Sequence, residues 1–69
     1  MKIIINRAEY DDEWKERVGE DLALGHDVEL QNFDYSHDVE ACKFLANKYG
    51  ATVRLNPDMT ICHFMRHKK

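Results

Sequence analysis

The order of hydrophobic periods along this chain predicts an α+β domain of β-α-β-α-β-β order, with two helices on one face of a four-stranded mixed sheet. Three observations carry that prediction. Two stretches repeat their apolar residues at helical spacing, each followed by a glycine; a β-branched run and an alternating run precede them in turn; and two further apolar runs flank Asn56-Pro57-Asp58-Met59. With 69 residues, 43% apolar and 33% charged, the chain has the composition of one compact domain, residues 1–69. A multidomain enzyme is not expected from a chain of this length.

The first element is Lys2-Ile3-Ile4-Ile5-Asn6, whose three consecutive isoleucines predict a central strand covered on both faces. Asp11 or Asp12 is placed to cap a helix that carries Trp14, Val18 and Leu22 as one apolar stripe and that Gly25 ends. Gly19 costs that helix about 1 kcal/mol relative to alanine, and Asp21 falls beside the stripe, so a bent or frayed last turn is expected.

Residues 28–33 (Val-Glu-Leu-Gln-Asn-Phe) begin with the alternation of a half-buried strand. Ser36 then reads as the N-cap of a second helix, with Asp38 and Glu40 in its first turn, Lys48 in its last and Gly50 as its stop. Its inner face is Val39, Cys42, Leu45, Ala46 and Tyr49. Residues 51–55 and 60–66 form a hairpin around a type I turn preset by Pro57. A tip at Pro57 and Asp58 aligns Ala51, Val53 and Leu55 with Thr60, Cys62 and Phe64, whereas a bulge would bring Ile61, His63 and Met65 beside Val53 and Leu55.

Cys42 and Cys62 are too few for a disulfide framework, and the start of the chain has no 7–15 residue apolar stretch of a signal peptide. The expectation is a soluble cytoplasmic protein with reduced thiols and no membrane segment. His26, His37, His63, His67 and the two cysteines are metal-competent types, but they form no C-x2-C pair, and Cys62 and His63 point to opposite strand faces. No metal and no cofactor are implied. His26-Asp27 and His37-Asp38 are sequence neighbours that do not face one another on a helix, and no GxGxxG, P-loop, HExxH or GxSxG is present. An enzyme is not expected.

Charge carries the strongest signal. The net charge of −3 divides into −10 over residues 9–40 and +5 over residues 41–69, with Lys2 and Arg7 making up the rest. Asp12, Glu16 and Glu20 stand in an i, i+4, i+8 row opposite the apolar stripe, where like charges cost an isolated helix a few tenths of a kcal/mol. The row therefore serves solubility or a partner. Ten net charges match about 17 Å of duplex DNA, against an expected radius of gyration of about 11 Å. Phe44 lies about 160° from the centre of its helix's apolar face and is expected to be exposed, either packed at a crossing point or acting as an interface anchor. Ile4, with Ile61 and Met65 in one hairpin register, would form an apolar patch on the open sheet face and invite a homodimer.

These residues point to a small stoichiometric protein-binding module or inhibitor whose partner is a larger protein, including a nucleic-acid-binding one, with Asp12, Glu16, Glu20 and Phe44 as the binding residues. In size and charge the chain resembles small phage or mobile-element inhibitors such as anti-CRISPR and DNA-mimic proteins, a resemblance in kind that no shared motif carries. The competing reading is a small nucleic-acid binder using the hairpin and basic tail, through Arg54, Arg66, Lys68 and Lys69. Phe33, Tyr35 and Phe64 could stack bases, but their spacing fits no RRM, KH or cold-shock pattern.

Overall fold

The computed structural model describes residues 2–66. The chain runs β1 (Lys2–Asn6), a 3-10 turn (Arg7–Glu9), α1 (Trp14–Ala23), β2 (Asp27–Gln31), α2 (Tyr35–Tyr49), β3 (Ala51–Leu55) and β4 (Ile61–Arg66). The strands lie in the order β1-β2-β4-β3. β1 pairs parallel to β2, and β4 pairs antiparallel to both β2 and β3. This is the expected α+β architecture. β1, β2 and β3 consequently run in one direction, and both helices begin at the end of the sheet where those three strands finish.

The isoleucine run of β1 is an edge strand, not the central one its composition predicts. The last of the described strands, β4, takes the central place. β4 inserts between β2 and β3, and its Cys62 and Phe64 are fully buried beside Val28 and Leu30 of β2. Only Ile5 of the β1 isoleucines is buried; Ile3 is half-buried against the core and Ile4 is 61% exposed on the opposite face.

α1 supplies Trp14, Val18 and Leu22 to the core, all with no exposed surface. Neither Asp11 nor Asp12 caps it. Glu13 occupies the cap position with helical torsions, φ −68° and ψ −15°, which keep its side chain from folding back onto the first amides, and Asp12 instead accepts the Lys15 N–H through its carbonyl. The expected fraying at Gly19 and Asp21 does not occur, because Gly19 lies beneath the Tyr49 ring of α2 and Asp21 is paired with Arg17 at 3.2 Å. Gly25 ends the helix as its position predicts: at φ +91° it lets the His26 N–H reach the Asp21 carbonyl at 3.0 Å.

β2 stops at Gln31 because Asn32 turns the chain at φ +58°. α2 starts two residues earlier than a Ser36 cap requires. Asp34 is the N-cap, in extended torsions, and Ser36 lies inside the first turn with its hydroxyl donating to Asp34 Oδ1 at 3.0 Å. The predicted inner face holds, with Cys42, Leu45 and Ala46 buried and Val39 and Tyr49 packed at its margins.

The hairpin loop spans residues 56–60, longer than a tip at Pro57 and Asp58, and Met59 adopts φ +61° within it. Asn56 Oδ1 accepts the Ile61 N–H at 2.8 Å, and Asp58 Oδ1 accepts the Thr60 hydroxyl at 2.8 Å. The register moves by two residues, pairing Leu55 with Cys62 and Val53 with Phe64, and Thr60 stays in the loop. A shift of two preserves the faces, so Ile61, His63 and Met65 lie on the open side of the sheet.

Candidate interaction surface

The parallel course of β1, β2 and β3 determines where the charge goes. Both helices start at one end of the sheet, and the hairpin loop turns at that same end. Glu9, Asp11, Asp12 and Glu13 lead into α1, Asp34 caps α2, and Asp58 sits in the loop, so six exposed acids gather at this end. Hydrogen bonds hold two of them ionised at lower pH than usual: the Ser36 hydroxyl lowers Asp34 and the Thr60 hydroxyl lowers Asp58. Helix dipoles favour acids here, but one or two acids suffice for that. Lys48 closes α2 at the opposite end, where β1 begins with Lys2 and β4 finishes with Arg66.

Several acids of the strongly negative segment serve the fold and are not available to a partner. Asp38, 3% exposed, takes Arg7 through both carboxylate oxygens, at 3.0 and 3.4 Å, and the same guanidinium lies 5.3 Å over the Trp14 ring. That contact raises the Arg7 pKa above its ordinary value, chiefly through the hydrogen bond to Asp38. Glu29 pairs with Lys2 at 2.8 Å and accepts from Gln31, whose hydrogen bond is the main reason its pKa falls below the ordinary carboxylate value. Asp27 accepts the Arg66 backbone N–H at 3.1 Å. By contrast Glu9, Asp11, Asp12, Glu13, Glu16 and Glu20 make no ion pair among the described residues.

Of the residues singled out from sequence, Glu16 and Glu20 are exposed on α1 as expected, while Asp12 precedes the helix in a turn. The row is therefore two helical acids that continue into the acidic end, not a three-turn stripe. Phe44 is 65% exposed on α2, so packing at a helix crossing does not account for it. Between the helices lies an open groove of about 430 Å³, with Glu16 and Glu20 on the α1 side, Leu45, Lys48 and Tyr49 on the α2 side and Gly19 in its floor. Phe44 stands one turn before Lys48 on the outward side of the same helical layer.

Of the basic residues expected to bind nucleic acid, the two that are described, Arg54 and Arg66, do not converge. Arg54 pairs with His63 across the hairpin on the open sheet face, whereas Arg66 lies on the helix-covered face with Nη1 donating to the Leu22 carbonyl. His67, Lys68 and Lys69 lie outside the described residues. On the open face, Ile4 is separated from Ile61 and Met65 by the polar column Asp27, Glu29 and Gln31 of β2, so the expected apolar patch is divided.

Cys42 and Cys62 are free and fully buried at the seam of α2 and β4, where their hydrogen bond and burial push the Cys42 thiol pKa upward. No group of three His, Cys, Asp or Glu side chains among the described residues is arranged to hold a metal ion. No helix among them is long and apolar enough to cross a membrane.

Sequence reasoning missed the acidic end as a unit, although its signal was present. A β-α-β-α-β order with parallel strands puts both helix starts together, and acids cluster at both starts. It also missed Arg7–Asp38, which joins residues 31 positions apart. No protein-family model matches the chain, and no curated protein or solved structure matches it, so the functional reading rests on its own residues.

Proposed function

We propose that this protein acts stoichiometrically in the cytoplasm, docking its acidic end and the adjoining Glu16 and Glu20 of α1 on a basic surface of a larger protein, with Phe44 as the apolar anchor. The observation that carries the reading is the gathering of six exposed acids at one end of the fold, more than two helix starts need, with Glu9, Asp11, Asp12 and Glu13 in no ion pair among the described residues. Such a surface fits a target that ordinarily binds nucleic acid, because it offers dense negative charge where a phosphate backbone would lie. Docking that blocks that site makes the protein an inhibitor. The two free thiols accord with a reducing compartment.

The test is affinity capture from the native host, comparing the wild type with Asp12→Lys/Glu16→Lys/Glu20→Lys and with Phe44→Ala. A partner retained by the wild type should be released by salt and lost from both variants. Equal capture by the charge-reversed variant would refute the acidic surface. Retention of the free protein on heparin or DNA, falling steeply with salt, would transfer the function to nucleic-acid binding.

A further inference from the structure

We infer that the groove between α1 and α2 receives a basic amphipathic helix of the partner, an inference that rests on the acidic docking reading and names the element of the partner that meets it. The groove has a volume of about 430 Å³ and is open to solvent. Its floor is apolar, with Leu45 and the Tyr49 ring contributed by α2 and Ala23 by α1. Gly19 keeps it open. A Cβ at that position would stand 3.3 Å from the Tyr49 hydroxyl, so its absence lets the ring lie back against α1 instead of rising into the groove.

Charge selects the occupant. Both lysines that border the groove face aromatic rings: Lys15 Nζ is 6.0 Å from the centroid of Trp14, and Lys48 Nζ is 5.5 Å from that of Tyr49. Arg17, the other cation of α1, is held by Asp21 at 3.2 Å. Glu16 and Glu20 border the same groove and are in no ion pair among the described residues. The cations here thus have partners within the fold and the two carboxylates do not. A segment that enters meets unmatched negative charge above an apolar floor, which suits a partner surface that is basic and apolar at once.

Spacing selects its shape. Glu16 and Glu20 are one helical turn apart, about 5–6 Å between Cβ atoms, and residues 16–23 extend about 10 Å along α1. Lysines or arginines at i and i+4 of a helix have the same spacing, so two of them meet the two carboxylates one to one while the apolar residues beside them enter over Leu45 and Tyr49. An extended segment fits less well, because two helices offer it no open row of backbone groups to pair with. A third helix laid between α1 and α2 also follows the ridge-and-groove contact of helical layers.

Titration of isotope-labelled protein followed by NMR tests the inference. The probe is an alanine-based peptide of about 15 residues, long enough to hold a helix in water, with two arginines one turn apart beside a row of leucines. The control peptide has the same composition with its arginines and leucines dispersed around the helix. The probe should shift the amides of Glu16, Glu20, Ala23, Leu45 and Lys48 first, and should bind at least about fivefold more tightly than the control. Ala23→Phe fills the groove without changing its charge and should weaken the probe about tenfold; Glu16→Gln/Glu20→Gln removes two exposed ion pairs and should weaken it by a similar factor. Circular dichroism checks the fold of both variants, and the wild-type shift map decides should either not fold. No binding up to millimolar probe, equal affinity for probe and control, or shifts confined to residues 9–13, 34 and 58 overturns the groove and leaves the acidic end to the capture experiment. A folded Ala23→Phe variant that binds like the wild type does the same. A folded Glu16→Gln/Glu20→Gln variant that binds the probe like the wild type overturns the inference and the acidic reading of α1 together.

Discussion

Removing the Asp38 carboxylate should cost this domain most of its stability. Asp38→Ala leaves the Arg7 guanidinium, whose side chain is only a quarter exposed, without its counter-charge, and deprives the Asp34 N–H of the acceptor that it reaches at 3.2 Å. Breaking a buried pair from one side typically costs about 3–5 kcal/mol. Arg7 keeps its hydrogen bond to the Tyr10 carbonyl at 3.2 Å and its place over the Trp14 ring, so the lower figure, about 3 kcal/mol, applies here. A single core of this size supplies only about 3–5 kcal/mol in total. The variant should therefore lie near its unfolding midpoint without denaturant. Trp14, the one tryptophan, is buried beneath Arg7 and reports the site directly by fluorescence in a urea titration. A double-mutant cycle with Arg7→Ala should return a coupling of about 2 kcal/mol. An Asp38→Ala variant within about 0.5 kcal/mol of the wild type, or an additive cycle, would refute the view that this pair ties the 3-10 turn to the start of α2.

Three further outcomes are expected. Glu29 has a folded pKa below its ordinary 4.5, so its stabilising contribution is complete above that value and is lost as pH falls through the lower folded one; Glu29→Gln should flatten urea midpoints in that acid range, and an unchanged acid slope would contradict the pairing with Lys2 and Gln31. Cys42 and Cys62 should react with a thiol reagent only as fast as the domain opens, since both are fully buried and the Cys42 pKa is raised; prompt labelling of the folded protein would show that the α2–β4 seam is open. Gly19→Ala gains about 1 kcal/mol of helix propensity but sets a methyl 3.3 Å from the Tyr49 hydroxyl. Tyr49 borders the open groove and can move outward, so a net gain of about 0.5 kcal/mol is expected by urea unfolding, and a loss above about 1 kcal/mol would show the ring to be locked.

Local periodicity made the elements legible, and pairing partners decided what it could not. Trp14, Val18 and Leu22 on one helix, and Cys42, Leu45 and Ala46 on the other, went to the core as their spacing predicts, because both helices face a single sheet. The isoleucines of β1 misled because β-branched composition reports covered faces and does not report which neighbours a strand has. The Asp12 and Ser36 caps differed by one or two residues, as caps do when adjacent polar side chains compete for the same amides. Of the candidate surface, exposure of Glu16, Glu20 and Phe44 could be read from helical angle alone. The acidic end could not be read so, since it joins Glu9, Asp34 and Asp58 from three separate connections.

The central place of β4 bears on how the chain folds as it is made. β2 and β3 emerge before β4, and they are not neighbours in the sheet. Until residues 61–66 leave the ribosome, α1 and α2 have only a divided floor to pack against, missing Cys62 and Phe64. Folding of this domain is thus withheld until almost the whole of it has been synthesised, and β4 acts as the keystone that joins β1-α1-β2 to α2-β3 within the sheet.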